Sequence, residues 1–217
     1  MKNRQAGFTL VEIAIVLVII GLLLGGVLKG QELITQAKIK NVANDFNGMS
    51  AAIYGYQDRY KQLPGDDTGA AARWTNPAAT AGNGNAQVGA TGVAAILDCA
   101  NDVTEGCQAW QHLRLAGFVG GDAATRTSPQ NAVGGVLQLM NGALGLSGLV
   151  ICSSNLPGKI ANAIDAQFDD GRPGTGQVRG TSNAAALAAA PVAPAEGAAA
   201  PGYVDDGSTV YVVCKPI

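Results

Sequence analysis

The sequence predicts an α+β fold in which one long N-terminal helix is laid against a small antiparallel sheet. Three observations carry that reading. From Phe8 to Leu28 every side chain is apolar or glycine except Thr9 and Glu12, a run long enough to cross a hydrocarbon core of roughly 30 Å as a helix. Beyond it, Ile39, Val42, Phe46, Met49, Ile53, Tyr56 and Tyr60 recur at alternating intervals of three and four, the spacing of one buried helix face. From Gly134 onward the pattern changes to short apolar runs separated by glycines, which is how strands joined by tight turns read.

The elements follow in chain order. Residues 1–7 are a short leader carrying Lys2 and Arg4. A helix continuous from Phe8 to about Lys61 would be roughly 80 Å long at 1.5 Å per residue. Residues 8–30 form its membrane-spanning half and residues 31–62 its amphipathic half, closed by Pro64 and Gly65 because proline cannot continue a helix. A coiled-coil seam is a poorer reading, since the stripe has no flanking ladder of opposite charges. Residues 63–217 are the head. It opens with the turn Leu63-Pro64-Gly65-Asp66-Asp67-Thr68, then a short helix from Ala70 to Trp74 capped by Asp67 or Thr68. Residues 76–92 are Ala, Gly, Asn and Thr with little apolar content and read as an exposed loop. Helix period returns from Cys107 to Phe118, with Trp110, Leu113 and Phe118 as core residues. Strands are expected at Val136–Met140, Leu146–Cys152, weakly at Gln177–Arg179, and at Thr209–Cys214. Between them, Pro157 starts a helix that runs to Phe168 and stops at Asp169-Asp170-Gly171. The Ala- and Pro-rich stretch from Ala184 to Pro201 reads as an irregular surface loop.

Glu12 needs a reason to stand in hydrocarbon. A carboxylate there costs on the order of 2 to 3 kcal/mol near the bilayer centre, less toward an end, and usually marks a functional contact. Gly7, then Phe8-Thr9-Leu10-Val11-Glu12, then an apolar helix containing Gly21, resembles the type IV filament superfamily: the type IV pilins and the pseudopilins of type II secretion systems. The resemblance is confined to the N-terminal segment. It implies a pilin-like architecture and a prepilin peptidase of the inner membrane that cuts between Gly7 and Phe8. It also implies N-methylation of the new amine on Phe8 and an inner-membrane assembly platform. Glu12 would meet the amino group of Phe8 on a neighbouring subunit as the filament grows, the subunit having waited in the lipid bilayer. The bottom-up chemistry agrees, because removing one partner of a buried ion pair typically costs about 3 to 5 kcal/mol. Against this stand an ordinary anchor whose Glu12 merely snorkels, and a secretory signal peptide. A signal peptide's apolar region is usually about 7 to 15 residues with its cleavage site after it; here the run is longer and the cut precedes it.

The sequence departs from the family at one point. Many members carry a proline where this chain has Lys29, with Gly25, Gly26 and Gly30 around it. Each glycine weakens a helix by about 1 kcal/mol relative to alanine, so this stretch is expected to loosen when the subunit leaves lipid, or else the glycines only permit close helix packing.

The cysteines set the compartment. Lys2 and Arg4 on one side and Lys29, Lys38 and Lys40 on the other leave orientation open by charge. Cys99, Cys107, Cys152 and Cys214 all come after the apolar segment, and an even number without metal-ligand spacing reads as two disulfides in an oxidising compartment. That puts the bulk of the chain outside the cytoplasm, and the resemblance implies a periplasmic head on a single-pass inner-membrane anchor. Of the three possible pairings, Cys99 with Cys107 closes a small loop and Cys152 with Cys214 ties a middle strand to the last; this arrangement is favoured, and its second bridge resembles the disulfide-bounded C-terminal region of many type IV pilins.

Composition then excludes several function classes. The formal charge of −2 becomes −4 once Lys2 and Arg4 leave with the leader, and no dense basic run appears, so nucleic-acid binding by an electrostatic patch is unsupported. Charged residues are 14% of the chain and 30 residues are glycine, a surface suited to packing against copies of itself or related subunits. His112 is the only histidine, and a lone histidine without clustered ligands is structural or solvent-facing far more often than catalytic. No nucleophile elbow or phosphate loop occurs, so no enzymatic activity and no cofactor are expected. Asp165, Asp169 and Asp170, with Asp205 and Asp206, form the densest acidic group. They are calcium candidates because some pseudopilins bind calcium in a late loop, but the spacing is not that of an EF-hand and Asp-Asp-Gly is an ordinary turn.

The expected function is a structural subunit of a type IV pilus-like filament, favoured by the C-terminal bridge and the large Gly/Ala-rich head. A type II secretion pseudopilin is the alternative, and a membrane-anchored periplasmic binding module a more distant one.

Overall fold

Thr9 opens the first helix and Lys61 closes it, where the backbone turns left-handed at φ 56°. A computed structural model describes residues 9–89, 99, 104–182 and 202–217. Its elements are α1 (Leu10–Tyr60), α2 (Ala70–Arg73), α3 (Glu105–Leu115), β1 (Leu137–Ala143), β2 (Leu146–Pro157), α4 (Gly158–Phe168), β3 (Arg179–Thr181) and β4 (Val210–Pro216). The chain divides into two compact units, Met1–Lys38 and Ile39–Ile217.

In the first unit the described residues are helical after Thr9. Helix α1 continues through Gly21, Gly25, Gly26 and Gly30, and a Cβ added at any of these would meet nothing within 4 Å. Among the described residues no contact demands those glycines.

The second unit holds the core. Val42, Phe46, Ile53 and Tyr56 of the α1 stripe are fully buried together with Trp110 and Leu113 of α3, Leu137 and Leu139 of β1, and Ile151 and Val213 of the sheet. The sheet is antiparallel throughout, in the order β1-β2-β4-β3. Side chains alternate faces along its strands. Leu139, Ile151 and Val213 point into the helical core, while Met140, Val150, Cys152, Val212 and Cys214 form a second apolar cluster. Helix α3 packs on β1, and α4 on β2 and β4. The β1–β2 hairpin turns at Leu144 and Gly145, both with positive φ of 52° and 75°, as a tight turn matched to strand twist requires. Leucine is costly there, and its near-complete burial beside Met140 and Val150 offsets the strain.

Several boundaries differ from the sequence expectation for identifiable reasons. Strand β2 runs past Cys152 to Pro157, crossing a bulge between Ser153 and Leu156 where Asn155 has φ 58°. Strand β3 sits two residues later than expected, and Pro157 stands at the N-cap of α4. Helix α2 ends at Arg73 and its N-cap is Gly69, which has no side chain to cap with; the expected cap Asp67 lies two residues earlier and accepts the Gly69 N–H instead. Phe118 is not a core residue. Helix α3 stops earlier, with Gly117 left-handed at φ 81°, its N–H bonded to the Arg114 carbonyl at 3.0 Å and the Phe118 N–H to the Leu113 carbonyl at 2.9 Å. That is a Schellman ending, and it leaves the Phe118 ring 37% exposed against Gly55. The stretch 76–89 is not a free loop: Ala79 and Val88 are buried, and its backbone is bonded to the turn before it. The expected loop from Ala184 to Pro201 and residues 90–92 lie outside the described residues.

Candidate assembly site

Thr9 and Glu12 bond to each other in both directions. The Thr9 backbone N–H and hydroxyl both donate to Glu12 Oε2 at 2.8 Å, and the Glu12 N–H donates to Thr9 Oγ1 at 3.3 Å. With Leu10 as the first helical residue, Thr9 is the N-cap and Glu12 the third helical position, which makes this a capping box. The pattern Thr9-x-x-Glu12 signals it in the sequence, and it gives Glu12 a partner nearer than the neighbouring subunit expected from the motif alone. Among the described residues Glu12 Oε1 takes no hydrogen bond, so the box fixes the carboxylate and leaves one oxygen outward.

Around that acid the helix is bare. Large apolar residues from Leu10 to Leu28 are between 46% and 87% exposed. The most apolar 18-residue window of α1 has a mean hydropathy of 2.8 and none of it is buried, so by length and composition this helix fits a membrane anchor. An exposed apolar surface of this kind must be covered by lipid or by other chains.

Residues 2–28 match the family of the prokaryotic N-terminal methylation motif. The motif is that of type IV pilin-like and pseudopilin precursors, and it implies processing by a prepilin peptidase and assembly after it. No curated protein and no solved structure shows a significant match to the chain. The methylation motif therefore covers the leader, the capping box and the apolar run. Gly7 and Phe8, the expected cleavage and methylation residues, lie outside the described residues.

Away from the motif, the remaining candidates belong to the fold. Cys152 and Cys214 are bonded to each other and directly opposed in the β2–β4 ladder, with Cα atoms 4.0 Å apart and a sequence separation of 62. Cys99 is bonded to Cys107 in the first turn of α3. Asp165, Asp169 and Asp170 bring ligand-type oxygens within 4.8 Å of one another. Those oxygens already work as acceptors. Asp165 takes the Gly171 N–H at 3.0 Å and the Tyr203 hydroxyl at 2.6 Å, and Asp170 takes the Arg172 N–H at 2.9 Å and the Thr175 hydroxyl at 2.6 Å. Asp169 accepts from Gln177 and, at 2.9 Å, from Val178. Burial pushes the Asp165 carboxyl up, with the Tyr203 and Gly171 bonds acting against it. These donors show a loop clamp, and the carboxylates do not need an ion to be explained. Asp206 is turned toward Ser208, Thr209 and their turn.

Sequence reasoning missed the buried acids at the end of α1. Asp66 accepts the N–H groups of Gly84, Asn85 and Ala86 at 2.6, 3.1 and 2.7 Å. Asp67 accepts the Tyr56 hydroxyl and the Arg73 guanidinium, each at 2.6 Å, and the Gly69 N–H at 2.8 Å. Burial alone would raise the Asp67 carboxyl; the bonds from Arg73, Tyr56 and Gly69 outweigh it and hold the carboxyl below its ordinary value. Two adjacent aspartates after Pro-Gly read as a turn, and only their burial reveals the clamp.

Proposed function

We propose that this protein is a structural subunit of a type IV pilus-like filament. It waits in the inner membrane with residues 8–30 in lipid and its head in the periplasm, loses residues 1–7 at the Gly7–Phe8 bond, and is methylated on the Phe8 amine. It then polymerises with copies of itself or related subunits on an inner-membrane platform. The observation that carries this reading is the methylation motif running without a break into a bare apolar helix.

The capping box suggests how assembly is favoured. Glu12 Oε2 stays with Thr9 while Oε1 receives the Phe8 ammonium of the next subunit, so the acid never has to exchange one partner for another. The apolar helix, whose side chains face lipid in the waiting subunit, is reburied among other helices, and the glycines at which a Cβ would meet nothing among the described residues admit close neighbours. A secretion pseudopilin would share every one of these features. The pilus is preferred because the bridge at Cys152–Cys214 and the Gly/Ala-rich head suit a tiled outer surface.

The test is an intact mass of protein extracted from membranes, read beside electron micrographs of the cells. Loss of residues 1–7, one added methyl group and surface filaments that vanish in Glu12→Ala are expected. A retained leader, or normal filaments from Glu12→Ala, defeats the proposal, and a secretion defect without filaments moves the subunit to the pseudopilins.

A further inference from the structure

His112 joins three segments through one ring. Its Nδ1 accepts the Gly65 N–H at 2.9 Å, and its Nε2 lies 2.9 Å from the Thr80 carbonyl oxygen. The ring stacks on Tyr56 of α1, with centroids 6.3 Å apart and planes 12° from parallel, and stands 6.1 Å from Trp74. Those partners fix the tautomer. A peptide N–H can only donate, so Nδ1 is unprotonated; a carbonyl can only accept, so Nε2 carries the hydrogen. The imidazole is completely buried.

We propose that His112 is an acid-released latch: a proton arriving at Nδ1 sets it donor-to-donor against the Gly65 N–H and frees the turn at Gly65 together with residues 75–89. The two acids after Gly65, and Glu105 beyond them, give the latch its reach. Asp66 gathers the N–H groups of Gly84, Asn85 and Ala86, the Asp67 carbonyl takes the Gly82 N–H at 3.0 Å, and Glu105 takes those of Asn83 and Gly89 at 3.1 and 3.3 Å. When the Gly65 turn moves, Asp66 and Asp67 move with it and Gly84, Asn85 and Ala86 lose their acceptor, while Glu105 stays on α3. The site cannot adjust cheaply, because Gly65 has φ 93° and leaves no room for even a Cβ beside the Glu105 carbonyl.

The surrounding charges are mixed. From the turn, the Asp67 carboxylate favours the imidazolium; from α2 and from the 122–128 segment, Arg73 and Arg126 oppose it. Helix α1 presents the phenols of Tyr56 and Tyr60, Asp66 sits beside Gly65, and α3 itself carries Glu105 and Arg114. Burial is the largest influence and pushes the imidazole below its ordinary value. A histidine lowered in the folded state contributes stability above its unfolded pKa of about 6.5 and loses it as pH falls toward the folded value. The latch is therefore shut at neutrality and gives way in acid. It operates within the head and is independent of the filament reading.

Amide hydrogen exchange on the full chain in detergent, corrected for the intrinsic pH dependence, tests it against His112→Gln. Glutamine can accept from Gly65 and donate to Thr80 but takes no proton. Protection of the Gly84, Asn85 and Ala86 amides should fall about tenfold or more between about pH 7 and about pH 5 in the wild type and stay nearly constant in the variant. Parallel loss in both proteins would show that the release does not depend on the imidazole and overturn the proposal, as would steady protection in the wild type. Should the variant not fold, nitrogen shifts of the wild-type ring decide: the imidazole must titrate together with loss of Gly65 protection, and a ring that titrates while Gly65 stays protected overturns the proposal.

Discussion

Tyr56 donates its hydroxyl to Asp67 at 2.6 Å, so the buried face of the long helix is bonded to the turn that comes after it. Arg73 reaches the same carboxylate oxygen at 2.6 Å and lays its guanidinium 4.2 Å from the Tyr60 ring centroid. One acid thus ties the end of α1 to α2.

Asp67→Asn should lower stability by about 1 to 3 kcal/mol, since Arg73 is partly solvated and keeps its stacking on Tyr60. Because the Asp67 carboxyl is held below its ordinary value, its contribution is present above the unfolded value of about 3.9 and disappears as pH falls through the folded one. Thermal melts of both proteins from neutrality into acid should therefore converge. A constant gap across that range would show that the carboxylate charge is not what matters.

Thr9→Val removes the hydroxyl that both accepts from Glu12 and donates to it but keeps the backbone N–H, and the lost cap should cost the first turn about 1 kcal/mol. Thr9→Ser should be nearly silent. Filament yield and hydrogen exchange at residues 10–13 would both register the difference. Equal behaviour of the two variants would mean the box is incidental.

Cys152→Ala should weaken the head by up to about 4 kcal/mol, the chain-entropy value for a closed loop of this length. On the proposed filament reading membrane insertion rests on α1 and should be normal, so pulse-labelled protein should reach the membrane and then fail to accumulate in filaments. Filaments in normal amount would show that the β2–β4 ladder holds without its bridge.

Two glycines offer a contrast. A Cβ on Gly55 would fall 2.7 Å from Phe118 Cε1, but that ring is partly exposed and can swing away, so Gly55→Ala should be neutral or slightly stabilising through helix propensity. A Cβ on Gly65 would strike the Glu105 backbone carbonyl at a φ of 93°, so Gly65→Ala should cost several times more. Denaturant midpoints of the two variants would reveal the order, and equal midpoints would contradict it.

Much of the fold was legible in the sequence because period is a strong signal. The stripe from Ile39 to Tyr60 and the run at Val210–Cys214 each have a local cause, and the structure places α1 and β4 there, with the helix ending at Tyr60 a few residues ahead of Pro64-Gly65. What was not legible depends on distant partners. Phe118 has the spacing of a core residue, yet Gly117 turns the chain before it can enter the core. Asp66 and Asp67 look like solvent-facing turn residues until the fold closes over them, and no window of residues shows that Asp66 will find the amides of Gly84 and Ala86 or which groups the structural histidine, His112, will join. At the N-terminus the reverse holds: Glu12 draws attention to a partner in another subunit, and the closer partner, Thr9, lies three residues away in plain view.

The empty space around Gly21, Gly25, Gly26 and Gly30 has a practical consequence for genetics. A methyl group installed at any of them collides with nothing among the described residues and, if anything, stiffens the rod. Variants at these sites that insert normally yet build no fibres would thus carry information about adjoining molecules alone, uncontaminated by misfolding.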